Sequence, residues 1–239
     1  MCLCQAKLVQ GMGLAAERDG RQVSLRPVSM VDGVYDNIYQ RLMSLEIAPG
    51  ARIAIDVLAR ELDISQTPVR EALSRLEREG LVRKAHLIGY SAAPQLTRKQ
   101  FDDLYEFRLL LEPEGARLAA RNMTPEALAE IEAAAADMQS GGPPVDRNSR
   151  YSRFARADAH FHDAILRIGG NNVMRQAMSG QHVHLHIFRL MFHARVTAEA
   201  LDEHERLLVA FRNRDPEAAA QAMRDHIQRS HDRLLPAFE

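Results

Sequence analysis

The sequence predicts a mainly α protein: an N-terminal winged helix-turn-helix domain followed by an all-α antiparallel bundle of about six helices. Three observations lead there. Between residues 31 and 94, helical periodicity gives way to a short strand–tip–strand pattern. From Lys99 onward no strand signal occurs. The breaks within that second part are short, which makes successive helices antiparallel neighbours. The expected division is an arm at 1–28, a winged helix-turn-helix domain at 29–94 and a helical domain at 95–239.

Residues 1–28 show no sustained periodicity and read as a flexible arm. From Val31 the apolar residues Val34, Ile38, Leu42 and Leu45 recur at helical spacing, and "APG" at 48–50 is the expected stop. A short second helix spans Asp56 to Leu62. A tight turn at Asp63 to Gln66 leads to a third helix from about Pro68 to Glu79, with Thr67 as its cap, Pro68 at its first position and Gly80 ending it. "LVRKAHLIGYSAA" reads as two strands around a tip near His86 to Gly89, and Pro94 begins a short linker. Six helical stretches follow, at about 99–121, 124–139, 150–168, 171–194, 197–213 and 216–235. Pro113 is expected to kink the first of them.

The bulk composition excludes several classes. A chain of 239 residues with 46% hydrophobic content can bury one large core or two modest ones. No run of about 18 apolar residues occurs, so no membrane helix is expected. "MCLCQAKLVQGMG" does not read as a signal peptide. Cys2 and Cys4 are the only cysteines, which rules out a disulfide framework and points to the cytoplasm. The formal net charge is -1, so any nucleic-acid binding has to come from a local patch. Residues 66–84 hold five cations (Arg70, Arg75, Arg78, Arg83, Lys84) against three carboxylates.

The third helix has the pattern of a recognition helix. Val69, Ala72, Leu73 and Leu76 form an apolar stripe, leaving Gln66, Thr67, Arg70 and Ser74 on the open side. N-terminal residues of such a helix meet base edges and phosphates in the major groove, where Arg pairs with guanine and Gln with adenine. An ordinary amphipathic surface helix would show the same stripe.

The histidines are unevenly placed: nine of ten lie at or after position 160. Asp158 and His162 are four apart and share one helix face. His204 and His226 lie about equally far from the turn at Arg214–Asp215, so an antiparallel helix hairpin puts them level. Three imidazoles and one carboxylate suit a divalent metal ion, zinc or nickel. His182 and His186, with His184 between them, are a rival pair without a carboxylate. They can also line the cavity from the long fourth helix. His160, His193 and His231 read as packed, hydrogen-bonded side chains.

Two resemblances bear on function. "VYDNIYQRLMSLEIAPGARI", "LARELDISQTPVREALSRLEREGLV" and "GYSA" resemble the N-terminal domain of the GntR family of bacterial transcription regulators. The resemblance implies that Gln66, Thr67 and Arg70 face DNA and that the wing near Gly89 reaches the adjacent groove. Position 66 is usually arginine in that family, and the tip "AHLIG" is less glycine-rich and less basic than usual. "FRLLLEPEGARLAA", "DAHFHDAILRIGGN" and "EHERLLVAFRNRDPEAAAQAMRDHI" resemble the effector domain of the FadR branch, often called the FCD domain. Its pattern of one aspartate and three histidines falls on Asp158, His162, His204 and His226. Six helices rather than seven look like the VanR subgroup. The resemblance also turns Arg108, in "FRLLLE", toward the effector cavity, where a guanidinium can grip a carboxylate. The alternative for Arg108 is a surface salt bridge to Glu112. Arg189 and His186 are further effector-binding candidates.

The resulting expectation is a ligand-responsive regulator, a repressor, that binds a palindromic DNA operator as a homodimer and senses a small carboxylate beside a metal ion. No catalytic residue is expected. Two rivals stand beside it: a metal-dependent hydrolase on a helical bundle, and a DNA binder whose metal is only structural.

Overall fold

Helix and strand assignments rest on a computed structural model, which describes residues 29–139, 147–190 and 197–238. The expected arm with Cys2 and Cys4, the break at 140–144 and His193 lie outside the described residues.

The first unit is α1 (Met30–Met43), β1 (Arg52–Ile53), α2 (Ile55–Glu61), α3 (Gln66–Arg78), β2 (Val82–Ala85) and β3 (Gly89–Ala92). Ser29 caps α1, its hydroxyl accepting from the Asp32 N–H. The helix stops at Met43, before the "APG" expected to end it. Leu45 takes a left-handed φ of 60°, and the Ile47 N–H bonds back to the Arg41 carbonyl. That local turn satisfies helix-end carbonyls without needing the proline. Val69, Ala72, Leu73 and Leu76 are fully buried against the rest of this unit, as their spacing predicts. The start of α3 differs from expectation. Ser65 is its N-cap, Gln66 its first residue, and Pro68 sits in the third position. Proline is tolerated throughout the first turn, where no intrahelical N–H bond is required.

β2 and β3 pair antiparallel with Arg83 opposite Ser91 and Lys84 opposite Tyr90. The unexpected β1 adds a third strand, giving the order β1-β3-β2. Two residues carry too little periodicity to announce a strand. Leu87, at the hairpin tip, has φ 64° and Gly89 has φ 99°.

The second unit is α4 (Arg98–Arg121), α5 (Pro125–Gln139), α6 (Arg147–Gly169), α7 (Asn172–Ser179), α8 (Val183–Leu190), α9 (Thr197–Arg212) and α10 (Pro216–Leu234), closed by a 3₁₀ turn at Leu235–Phe238. Thr97 and Gln100 form a capping box at the start of α4, which continues through Pro113. α4 packs on α6 and α10, and α9 on α10. A Cβ at Gly115 of α4 would lie 2.4 Å from Leu166 of α6, so the glycine permits the close crossing. The single helix expected at 171–194 is two helices. The chain breaks at Gly180–His182, with His182 at φ 48°. The described residues therefore hold seven α-helices after the linker, where six were expected.

The two units touch. The Arg156 guanidinium of α6 pairs with Asp36 of α1 at 3.0 Å and covers the Tyr39 ring at 4.2 Å. Gly80, at φ 71°, faces His182, whose Cδ2 lies 2.6 Å from where a Cβ would stand.

Candidate DNA-reading face and buried histidine cluster

On α3, Gln66, Thr67, Arg70 and Ser74 are all exposed and lie opposite the buried stripe. Arg70 donates to the Gln66 Oε1 at 3.2 Å, so the two side chains are already gathered at the helix start. Gly89 is exposed at the wing. Beside it the tip carries exposed apolar side chains, Leu87 at 94% and Ile88 at 67%, rather than cations.

Inside the second unit the structure gathers the four residues that spacing selects. Asp158 and His162 project from α6, His204 from α9 and His226 from α10; all four are buried. The ligand atoms of His162, His204 and His226 lie within 4.8 Å of one another. The His204 Nε2 is 3.4 Å from an Asp158 oxygen. The His162 Nε2 and both His204 ring nitrogens are buried and find no hydrogen-bond partner among the described residues. Orphaned buried nitrogens are costly, about 1–3 kcal/mol each. A divalent cation at their meeting point would use the lone pairs, and imidazole with carboxylate is a donor set for zinc or nickel. The residues therefore fit such an ion.

Two carboxylates complete the arrangement. Glu112 lies 2.5 Å from the His162 Nδ1, and Glu203 lies 2.9 Å from the His226 Nδ1. Each bond makes Nδ1 the donor and leaves Nε2 with its lone pair toward the centre. Arg233 in turn donates to both Glu203 oxygens, at 2.5 and 3.0 Å. Glu203 therefore does not point away from the site, as its position beside His204 suggests. It reaches across to α10 and orients the histidine there.

Charge states follow from burial. Burial pushes the His162 imidazole down to about 4 despite Glu112 beside it. It pushes His204 well below the usual histidine range, helped by His226. Burial alone would raise Asp158, but the His184 hydrogen bond and the neighbouring imidazoles hold its carboxyl well below the ordinary range. Glu112 is held low in the same way by Arg108 and His162 against its burial. His162 and His204 are thus held neutral beside an ionised Asp158, the forms that ligate metals.

Arg108 is buried, not on the surface, and its Nε donates to Glu112 at 2.5 Å. Its Nη2 has no partner among the described residues. It lines a cavity of about 20 Å³ with Asp158, His184, His226, Ser230 and Arg233. The other two effector candidates lie elsewhere. Arg189 turns away from the cluster: its Nη2 donates to the Ala93 carbonyl at 2.7 Å, and Gln95 donates to its own carbonyl at 3.1 Å. His186 lines an outer cavity with Leu96, Gln100 and Phe107. The break at Gly180–His182 sets the rotation of α8, which a continuous helix would have aimed differently. That rotation brings in His184 instead, whose Nδ1 is 2.9 Å from Asp158. His160 is exposed, while His231 stacks on Phe101 at 5.1 Å and bonds Asp102 at 3.2 Å, a packed histidine as expected.

Comparison with known proteins places these features. Residues 30–90 match the bacterial regulatory proteins of the gntR family, and residues 103–229 match the FCD domain. The chain is 24% identical over 207 residues to the HTH-type transcriptional regulator YdhC of Bacillus subtilis, covering 86% of this chain and 91% of that one. It is 26% identical over 210 residues to a probable D-xylose utilization operon transcriptional repressor of Paenarthrobacter nicotinovorans, covering 87% and 90%. The structure of McbR/YncC from E. coli superposes with a TM-score of 0.66 at 24% identity, covering 89% of this chain and all of that one, a likeness of fold.

Proposed function

The chain belongs to the GntR family of bacterial regulatory proteins and carries an FCD domain, and from that premise we propose that it is a metal-assisted sensor of a small carboxylate, repressing transcription from a palindromic operator as a homodimer. Transcription regulation itself comes with the family, and so does the absence of a catalytic role, which sets the hydrolase reading aside. None of the described helices is long and apolar enough to cross a membrane.

The observation that carries the sensor reading is the buried cluster inside the helical domain. Asp158, His162, His204 and His226 would hold the ion, and when bound it would supply a Lewis-acidic point for an anionic ligand. Arg108 stands in the same cavity with an unused N–H, suited to a second carboxylate oxygen. The exposed Gln66, Thr67, Arg70 and Ser74 on α3 and Gly89 on the wing form the DNA-reading face, and two copies on a two-fold axis would match a palindrome. The name of the Paenarthrobacter relative supports repression.

Elemental analysis of untagged protein beside His204→Ala tests the sensor. About one zinc or nickel per chain, lost in the variant, is the expected result; no metal in either removes it. A gel-shift titration of Arg70→Ala at fixed salt tests the DNA face. Loss of about 1–3 kcal/mol of specific binding is expected, and unchanged affinity would sink the assignment. One observation favours a purely structural ion: the cavity beside Arg108 has room for little more than one water. Under that reading, chelation lowers the melting temperature without altering any response of DNA binding to carboxylates.

A further inference from the structure

His184 stands at the cluster outside the four proposed ligands, bonded to Asp158 and beside His162 and Glu112. It lines two separate cavities. One is the small space of about 20 Å³ shared with Arg108 and Asp158. The other, of about 190 Å³, lies between α6 and α7–α8 and is walled by Leu166, Met178, Val183 and Leu185, with Asp163, His182 and His162 also in its lining. The His184 ring stands 4.4 Å from the His162 ring and holds an Asp158 oxygen at 2.9 Å. It therefore stands between the small space and the larger apolar one.

The helix that carries it has another grip. Arg189, five residues on, holds the Ala93 carbonyl at 2.7 Å, and Gln95 holds the Arg189 carbonyl at 3.1 Å. Two more Arg189 nitrogens are buried without a partner among the described residues, so this side chain has committed its desolvation to one bond with the linker. At the other end of α8, His182 packs on Gly80, two residues after α3 ends. α8 has only 8 residues, whereas α6, which also touches the winged domain, has 23 and packs on α4 and α5. α8 packs Val183, Ile187 and Phe188 into the bundle against α6, so it joins the cluster, the bundle and the winged domain in one short element.

We propose that His184 is the gate and positioning residue of the cluster, displaced by a carboxylate arriving through the apolar cavity, and that α8 passes this displacement to the winged domain through Arg189 and His182. The inference rests on the sensor reading for its ligand but not for its mechanics. It implies that effectors carry a compact apolar body behind the carboxylate, because the wall of the route is mainly apolar. It also implies reciprocity: whatever factor a bound carboxylate imposes on DNA affinity, bound DNA imposes on carboxylate affinity.

The experiment uses the full chain as wild type, His184→Ala, His184→Gln and Arg189→Met. Amide hydrogen exchange of residues 81–97 is measured on metal-free protein. His184→Ala should raise exchange there at least 10-fold, and His184→Gln, which keeps a hydrogen-bonding group for Asp158, should restore much of the protection. Unchanged exchange in His184→Ala overturns the relay. On cobalt-loaded protein, acetate is titrated and followed in the visible spectrum. His184→Ala should bind acetate at least 10-fold tighter than wild type, and equal affinity, or no binding in either, overturns the gate. Arg189→Met should change cobalt affinity at least 3-fold although it touches no ligand; no change overturns the coupling. A wild type that takes up no cobalt would defeat the sensor reading and with it the gate, while the exchange measurement would still decide the relay.

Discussion

At the scale of single residues, the site is governed by which nitrogen of each histidine is free. Glu112 and Glu203 fix that choice for His162 and His226, so removing one charge should weaken the ion without removing a ligand. Glu112→Gln is expected to lower zinc affinity about 10- to 100-fold in a competition titration. Protonation provides an independent check on chelator-treated protein. In the fold burial pushes His162 down to about 4, below the ordinary histidine value of 6.5, so between those values the unfolded chain holds a proton that the folded chain refuses. The His162 contribution, on the order of 3 kcal/mol, should therefore be full above about pH 6.5 and be lost as pH drops toward 4, with His204 adding in the same direction and the depressed carboxylates Asp158 and Glu112 continuing the loss at lower pH. Urea midpoints between pH 4 and 7.5 measure it; a flat profile would mean that His162 is protonated in the fold or exposed.

At the scale of elements, local signals decide where helices begin. The Thr97–Gln100 capping box is one, and Thr97→Ala should cost about 1 kcal/mol in a denaturant melt. The same logic shows what the sequence made legible. The stripe on α3 and the level placement of His204 and His226 follow from 3.6-residue periodicity and from hairpin symmetry, both local properties. Asp158 and His162 follow from a spacing of four. Glu203, His184 and Arg189 do not, because their roles depend on which neighbouring helix they meet. Glu203 crosses to α10, and α8 turns on a break at Gly180–His182 whose left-handed residue is a histidine rather than a glycine. Periodicity reads straight through such a break and yields one long helix where there are two. Arg108 was legible as a salt-bridge partner of Glu112; that the pair is buried depends on α10 lying over α4.

At the scale of the whole molecule, the proposed ion would couple its binding to folding, since the four proposed ligands come from three helices that meet only in the fold. Zinc at about 100 times its dissociation constant should stabilise the chain by about 2.7 kcal/mol. That corresponds to a rise of about 5–10 °C in melting temperature. Scanning calorimetry with and without chelator should show the shift in wild type and none in His204→Ala. The contact between Gly80 and His182 reaches further still. Family resemblance invites the construction of chimaeras that join one member's reading head to another's sensor. Here the seam is shaped on both sides: the head must offer a residue without a Cβ, and the sensor must present an imidazole in a left-handed bend. A graft that keeps one side alone will either clash or leave a hole. Any biosensor built from this protein has to transplant the segment from 182 to 190 together with the head it was fitted to.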